Sequence, residues 1–261
     1  MKLFLLTWSL LASWSLGIFA EESFDETVKK IDLQLEEEAL AFVCLPVASG
    51  EAMLVKNASG QTVLINTGGR GSIKQIKTWL ERLHVRKINK ILLTNNDKDI
   101  SSSFAFYKEK YGAREVIAGK NQKGVTTVWK EGERHLLLPN VTADVLNVHD
   151  GALTLRFQYG RLCMLYMASD QPAVVKSLIH IPLKNVNILK VANFAKHDHL
   201  STAFLKRVDP QAAIIFPKQG IHPNEHLLEK LYQLWIDIYQ IDKVGIMMIK
   251  CNLTHYKIIT F

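Results

Sequence analysis

Three cysteines in 261 residues are too few for a disulfide-stapled fold, and an odd number leaves at least one thiol without an internal partner. Proline (7) and glycine (14) are sparse as well, which excludes collagen-like and low-complexity chains. Beyond residue 20 no stretch approaches the roughly 18 to 20 uninterrupted apolar residues needed to cross a bilayer. No internal repeat, linker or break in composition marks a second domain. The chain carries no helix-turn-helix, zinc-finger or aromatic-basic RNA signature. It also lacks a G-x-S-x-G serine context and a phosphate loop ending in Lys-Ser or Lys-Thr. What remains is 48% hydrophobic and 22% charged, enough apolar material for one sizeable core. A net charge of +7 is a modest excess that favours acidic partners without specifying one.

The one long apolar run stands at the start. Lys2 is the only charge before Glu21, and the stretch between them is apolar, punctuated by small residues and closed by Ala20. A basic start, an apolar middle and a small residue at the cut describe a secretory signal peptide over residues 1–20, cleaved after Ala20; left uncleaved it is a membrane anchor. Cleavage takes one lysine and leaves +6. The expected mature chain is exported to the envelope or beyond, with no transmembrane span. Residues 21–39 form an acidic, partly helical leader, and residues 40–261 a single domain. Cys44, Cys163 and Cys251 each sit in an apolar segment and read as buried, inert thiols.

From residue 40 onward, short apolar runs alternate with Gly, Asn and Asp. Runs 41–47, 52–56 and 62–66 predict strands, the last two joined by a hairpin at Asn57-Ala58-Ser59-Gly60. Ile73, Ile76, Leu80 and Leu83 share one face of a helix over 72–84, with Ser72 as its cap. Further strands are expected at 90–94, 115–118, 135–138, 142–147, 153–159, 162–167, 186–191, 212–216, 236–240, 245–250 and 256–261. Helices are expected at 104–111, 173–180, 202–208 and 224–235. Strand clusters in both halves with helices interspersed predict two sheets packed face to face under helices.

The motif positions carry a resemblance. VASGEAMLVKNASGQTVLINTGG, followed after one helix by INKILLTNNDKDISSS, resembles the metallo-β-lactamase fold superfamily. The pattern is most similar to the C-terminal domain of ComEC-type DNA-uptake proteins. Leu165-Tyr166-Met167-Ala168-Ser169 falls where that family has L-L-T-G-D, and Val191-Ala192-Asn193-Phe194 where it has V-P-H-H. His222-Pro223 matches a late H-P element, so the likeness spans roughly residues 40–261. It implies an α/β fold, an αββα sandwich of two mixed sheets, with a two-metal hydrolase site at one sheet edge. Such a site needs imidazoles and carboxylates converging from several loops.

The residues depart from that pattern. In the L-T-H-x-H-x-D-H motif the three histidine positions hold Asn95, Asp97 and Ile100, and only Asp99 matches. Ser169 stands at the bridging aspartate, with Asp170 one residue off register; Asn193 stands at the later histidine, and Asn66 at the aspartate of L-I-D-T-G-G. Isoleucine has no donor, and an amide is a poor ligand beside imidazole or carboxylate. The expectation is therefore a protein that holds no cofactor and hydrolyses nothing. It binds in the old groove or pairs with an envelope or surface protein.

Two alternatives stay open. Asp97, Asp99, Asp170 and His222 could hold a single divalent ion (Mg²⁺, Mn²⁺ or Zn²⁺), with Asp99 the catalytic candidate of a phosphodiesterase or nuclease. Lys74, Lys77, Arg82 and Lys87 could grip DNA phosphates as an accessory in competence. The pair His197 and His199, in H-x-H spacing, aligns beyond the ligand positions and reads as part of a polar surface loop. Thr67-Gly68-Gly69 before a helix reads as a structural turn rather than an anion cradle.

Overall fold

The structure, a computed structural model, describes residues 33–183 and 185–261, apart from the side chains of Arg70 and Asp99. The expected signal peptide (residues 1–20) and residues 21–32 of the expected acidic leader lie outside the described residues. Residues 33–39 are irregular, with Leu33 and Ala39 buried.

The apolar runs become strands because each is short, rich in Val, Ile and Leu, and bounded by a turn. One mixed sheet combines β1 (Leu40–Cys44), β2 (Met53–Asn57), β3 (Thr62–Ile65), β4 (Lys90–Leu93), β5 (Glu115–Ala118), β6 (Thr127–Val128), β14 (Met247–Cys251) and β15 (Tyr256–Thr260), in the order β15-β14-β1-β2-β3-β4-β5-β6. The other has the order β13-β12-β11-β10-β9-β8-β7. Its strands are β7 (Arg134–Leu138), β8 (Val141–His149), β9 (Ala152–Tyr159), β10 (Leu162–Tyr166), β11 (Ile188–Lys190), β12 (Ala212–Ile215) and β13 (Asp237–Gln240). Pairing is parallel from β3 to β6 and from β10 to β13, and antiparallel elsewhere. The expected hairpin is present, with the Gly60 N–H donating to the Asn57 carbonyl at 3.0 Å.

Side chains of the two inner faces, among them Phe42, Met53, Ile65, Phe157, Met164 and Ile214, form one shared core. The outer face of the second sheet buries Met167, Leu189 and Ile215 against helices α4 (Pro172–Ile179), α5 (Thr202–Val208) and α6 (Glu225–Gln233). On the first half of the chain, α1 (Ile73–Arg82) buries Ile76, Trp79 and Leu80. Short α2 (Lys98–Ser101), α3 (Phe104–Tyr111) and α7 (Ile241–Val244) complete the helices named here. The expected αββα sandwich is the observed fold. Ser72 departs from expectation: its hydroxyl donates to the Ser49 carbonyl at 3.0 Å instead of capping α1. Ser201 and Asn224 do cap, accepting from the N–H groups of Phe204 and Leu227 at 3.1 Å each.

A buried polar network ties the sheets together at the end where the loops gather. Lys190, at the end of β11, pairs with Glu51 from the β1–β2 connection; both side chains are at most 1% exposed. The Tyr166 hydroxyl donates to Glu51 Oε2 at 2.9 Å, and the Lys190 carbon stem carries its ammonium 4.7 Å from the Tyr166 ring centre. Asn66 Nδ2 donates to Glu51 Oε2, Thr94 Oγ1 and the Tyr166 hydroxyl, while Asn66 Oδ1 accepts from the Thr94 N–H at 2.8 Å. Burial pulls the Lys190 ammonium below its ordinary range and Glu51 opposes it, whereas burial and Glu51 together push the Tyr166 phenol well up.

The amide at Asn66 is what keeps this network neutral. Asn66→Asp sets a second carboxylate against Glu51 and costs about 2 kcal/mol or more in a urea melt; Glu51→Gln in the same chain recovers much of that loss. The three cysteines are free and buried, and burial pushes Cys44 up, Cys163 to about 11 and Cys251 to about 12. At pH 8 even Cys163 is thiolate in only about one molecule in a thousand. Native protein therefore resists an aromatic disulfide reagent at pH 8, and all three thiols titrate in denaturant.

Candidate functional site

Each loop at this end starts from a member of the network, so the network sets where the loops go. Asn66 leads into the Thr67-Gly68-Gly69 turn. Gly68 has φ +60°, and a Cβ there would lie 2.8 Å from Ser72 Cβ, so only glycine fits. The turn's N–H groups are already engaged: Thr67 donates to the Ile100 carbonyl at 2.7 Å and Gly68 to the Glu51 carbonyl at 2.9 Å. It is a structural turn whose first two amides are engaged by the chain itself, and the Gly69 N–H faces the Ser49 carbonyl at 3.5 Å.

Thr94 leads into Asn95, Asn96 and Asp97. Asn95 Oδ1 accepts from the Asp97 N–H at 3.1 Å, and the Asp97 carbonyl accepts from the N–H groups of Ile100 and Ser101. The Asp97 carboxylate lies 4.0 Å from Lys218 Nζ. Ile100 and Phe194 are both packed into the core between the sheets, and Lys218 sets its ammonium 5.2 Å from the Phe194 ring centre. The side chain of Asp99 lies outside the described residues. His222 sits beyond Lys218, on the rim of a cavity of about 230 Å³ that Phe194, Lys218 and Asp242 also line.

Tyr166 leads through Ser169 to Asp170, and Lys190 leads through Val191 to Asn193. Asn193, Phe194 and Ala195 have φ of +48°, +59° and +56°, three consecutive left-handed residues without a glycine. That conformation costs on the order of 1–2 kcal/mol per residue. The burial of Phe194 offsets it, as does the bond from Asn193 Nδ2 to Asp170 Oδ1. The turn throws the chain back over Asp170. His197 Nδ1 lies 3.1 Å from Asp170 Oδ2, and His199 Nδ1 3.1 Å from the Asp170 carbonyl. The two rings stack with centroids 4.9 Å apart. Asp198, between them, points to Lys230 on α6.

The expected polar surface loop is present, with Lys196, Asp198 and His199 exposed and His197 half-buried, and it turns both imidazoles onto the buried Asp170. Among the described residues, Asp170, His197 and His199 are the only three His, Cys, Asp or Glu side chains close enough to share an ion. Asp97 and His222 stand outside that group. Only the H-x-H spacing hinted at it, and an ungapped alignment could not show that the chain doubles back.

The four basic candidates lie on or just after α1. Lys74 and Lys87 are exposed, Lys77 reaches Glu81 at 3.6 Å, and the Arg82 guanidinium sits 5.5 Å from the Trp79 ring centre.

No protein-family model matches the sequence, and neither does any curated protein. Solved structures do. The metallo-beta-lactamase fold protein YhfI from Bacillus subtilis superposes with a TM-score of 0.57 at 11% identity, covering 81% of this chain and 100% of that one. A diphosphatase from the PhnP family gives 0.52 at 14% identity, covering 82% and 98%. A CmlA beta-hydroxylase mutant gives 0.56 at 11% identity, covering 84% of this chain and 55% of that one. Identities this low speak for the backbone alone: the chain adopts the metallo-β-lactamase fold.

Proposed function

We propose that this chain is an exported, ComEC-like protein of the metallo-β-lactamase fold that acts by binding, as an accessory to another envelope or surface protein, and not by two-metal hydrolysis. The observation that carries this reading is the burial in the core of Ile100, at a position where the resemblance places a ligand, and of Phe194, beside Asn193 at another. Neither offers a donor atom, and the amides Asn95 and Asn193 are engaged in local hydrogen bonds. The residues therefore do not fit a two-ion centre. The Lys218 ammonium beside Phe194 and Asp97 supplies positive charge there without Lewis acidity.

The groove that is left favours a protein partner over a nucleotide. Its cavity of about 230 Å³ falls below the roughly 300–1,000 Å³ of sites that enclose drug-sized ligands. A single side chain of a partner fits it better. Tyr232 and Trp235, at the end of α6, are 78% and 93% exposed, the kind of aromatic surface that partners bury. The DNA-accessory alternative draws less support, because Lys77 and Arg82 are already engaged on their own helix.

Two measurements test the reading. The mature chain should show no hydrolysis of a bis-aryl phosphodiester above background with Mg²⁺, Mn²⁺ or Zn²⁺ added. Metal-dependent turnover that co-elutes with the protein would overturn it. Sequencing of the exported protein should begin at Glu21; a chain still starting at Met1 and extracted with membranes would replace export by anchoring.

A further inference from the structure

We propose that Asp170, His197 and His199 form a mononuclear site for a borderline transition ion of the Zn²⁺ class, with both imidazoles drawn from positions where the resemblance places no ligand. The carboxylate is the starting point. Its side chain is 3% exposed, and a buried charge is costly unless it is paired. Among the bonds it makes, Asn193 supplies one amide donor to Oδ1, and Oδ2 faces the two imidazoles. A cation shared by the three groups would balance the charge.

The geometry suits such an ion. A tetrahedral centre with bonds of about 2.0–2.1 Å spaces its donors about 3.3 Å apart. The Nδ1 atoms of His197 and His199 lie 3.1 and 3.7 Å from Asp170 Oδ2. One ligand atom from each residue falls within 4.8 Å of the other two. Two imidazoles and one carboxylate select Zn²⁺ or Co²⁺ over Mg²⁺ or Ca²⁺, which prefer oxygen. Both imidazoles are 35% exposed, so the remaining coordination positions open to solvent.

The site is also braced from outside. Lys230 pairs with Asp198 and donates to the Leu200 carbonyl at 2.8 Å, pinning the loop between and beyond the histidines. On the other side, the left-handed turn at residues 193–195 is held by the Asn224 N–H, which donates to the Ala195 carbonyl at 2.8 Å. Strain of this kind, paid for by its surroundings, is what a site under constraint shows.

The test is Co²⁺ titration of the untagged, chelator-stripped mature chain, read by visible d–d absorption, with Zn²⁺ competition and elemental analysis. One ion per chain is expected, with a tetrahedral spectrum that Zn²⁺ abolishes and Mg²⁺ does not. Asp170→Asn risks the fold, so the half-exposed imidazoles carry the test. His197→Gln and His199→Gln should each weaken binding about tenfold or more with an unchanged melting temperature for the metal-free protein, and His222→Gln should bind as the parent does. Absence of binding, or binding that survives both imidazole variants, would overturn the site. The proposed function is tested separately: an ion bound without turnover leaves both readings standing, and an ion with turnover keeps the site but removes the non-hydrolytic reading.

Discussion

The Glu51–Lys190 pair is the constraint on which the rest of this structure depends. A buried ion pair seldom adds net stability over apolar packing, because two desolvation costs precede any Coulombic gain. Removing one partner is another matter, since an uncompensated charge is then left between the sheets. The pair therefore acts as a condition on the fold: the β1–β2 connection and the end of β11 must meet, or both charges are stranded. Tyr166, Asn66 and Thr94 meet the remaining hydrogen-bonding demand of Glu51 and of one another, and each stands at the end of a different strand. Two sheets that share a mainly apolar core are thus held in one register at the edge where the loops emerge.

That placement separates the frame from the loops that carry the chemistry. The loops leave from fixed points, so substitutions within them alter donors without moving the backbone. Ile100 and Phe194 extend the core outward to the edge where these loops leave. Lys218 then brings a charge to the same place from the β12 side. Apolar filling and an ammonium set against Asp97 therefore occupy that edge. The donors that remain are displaced to Asp170 and the loop above it.

Much of the frame was legible in the sequence, for physical reasons. Strands such as β1, β2 and β10 are short apolar runs between turn residues, and α1 and α6 keep a clean helical period. Gly68 could be read as a required turn because its neighbours match an ordered set of motifs. Elements of two to four residues, such as β6, α2 and α7, are too short to show any period. The Ser72 cap looked sound locally, but a nearer carbonyl, that of Ser49, took its hydroxyl. The Glu51–Lys190 pair was invisible because 139 positions separate its members, and each sits alone in an apolar run.

The path of the histidine loop back over Asp170 was not legible in the sequence, and its cause is specific. A reversal of direction is usually announced by glycine, and of the three left-handed residues here only Asn193 belongs to a type that tolerates that conformation well. Phe194 and Ala195 adopt it because burial of the aromatic ring and tethers to Asp170 and Asn224 outweigh the local cost. Those tethers have a further consequence. The turn before the imidazoles and the Lys230 clamp around Asp198 are set by contacts that involve no ion. The donors are brought together by folding, and the ordering entropy that a flexible loop would lose on capture is already spent. Affinity at such a place is decided by donor chemistry more than by loop closure, which is why a half-exposed imidazole and not a core residue is the informative position to change.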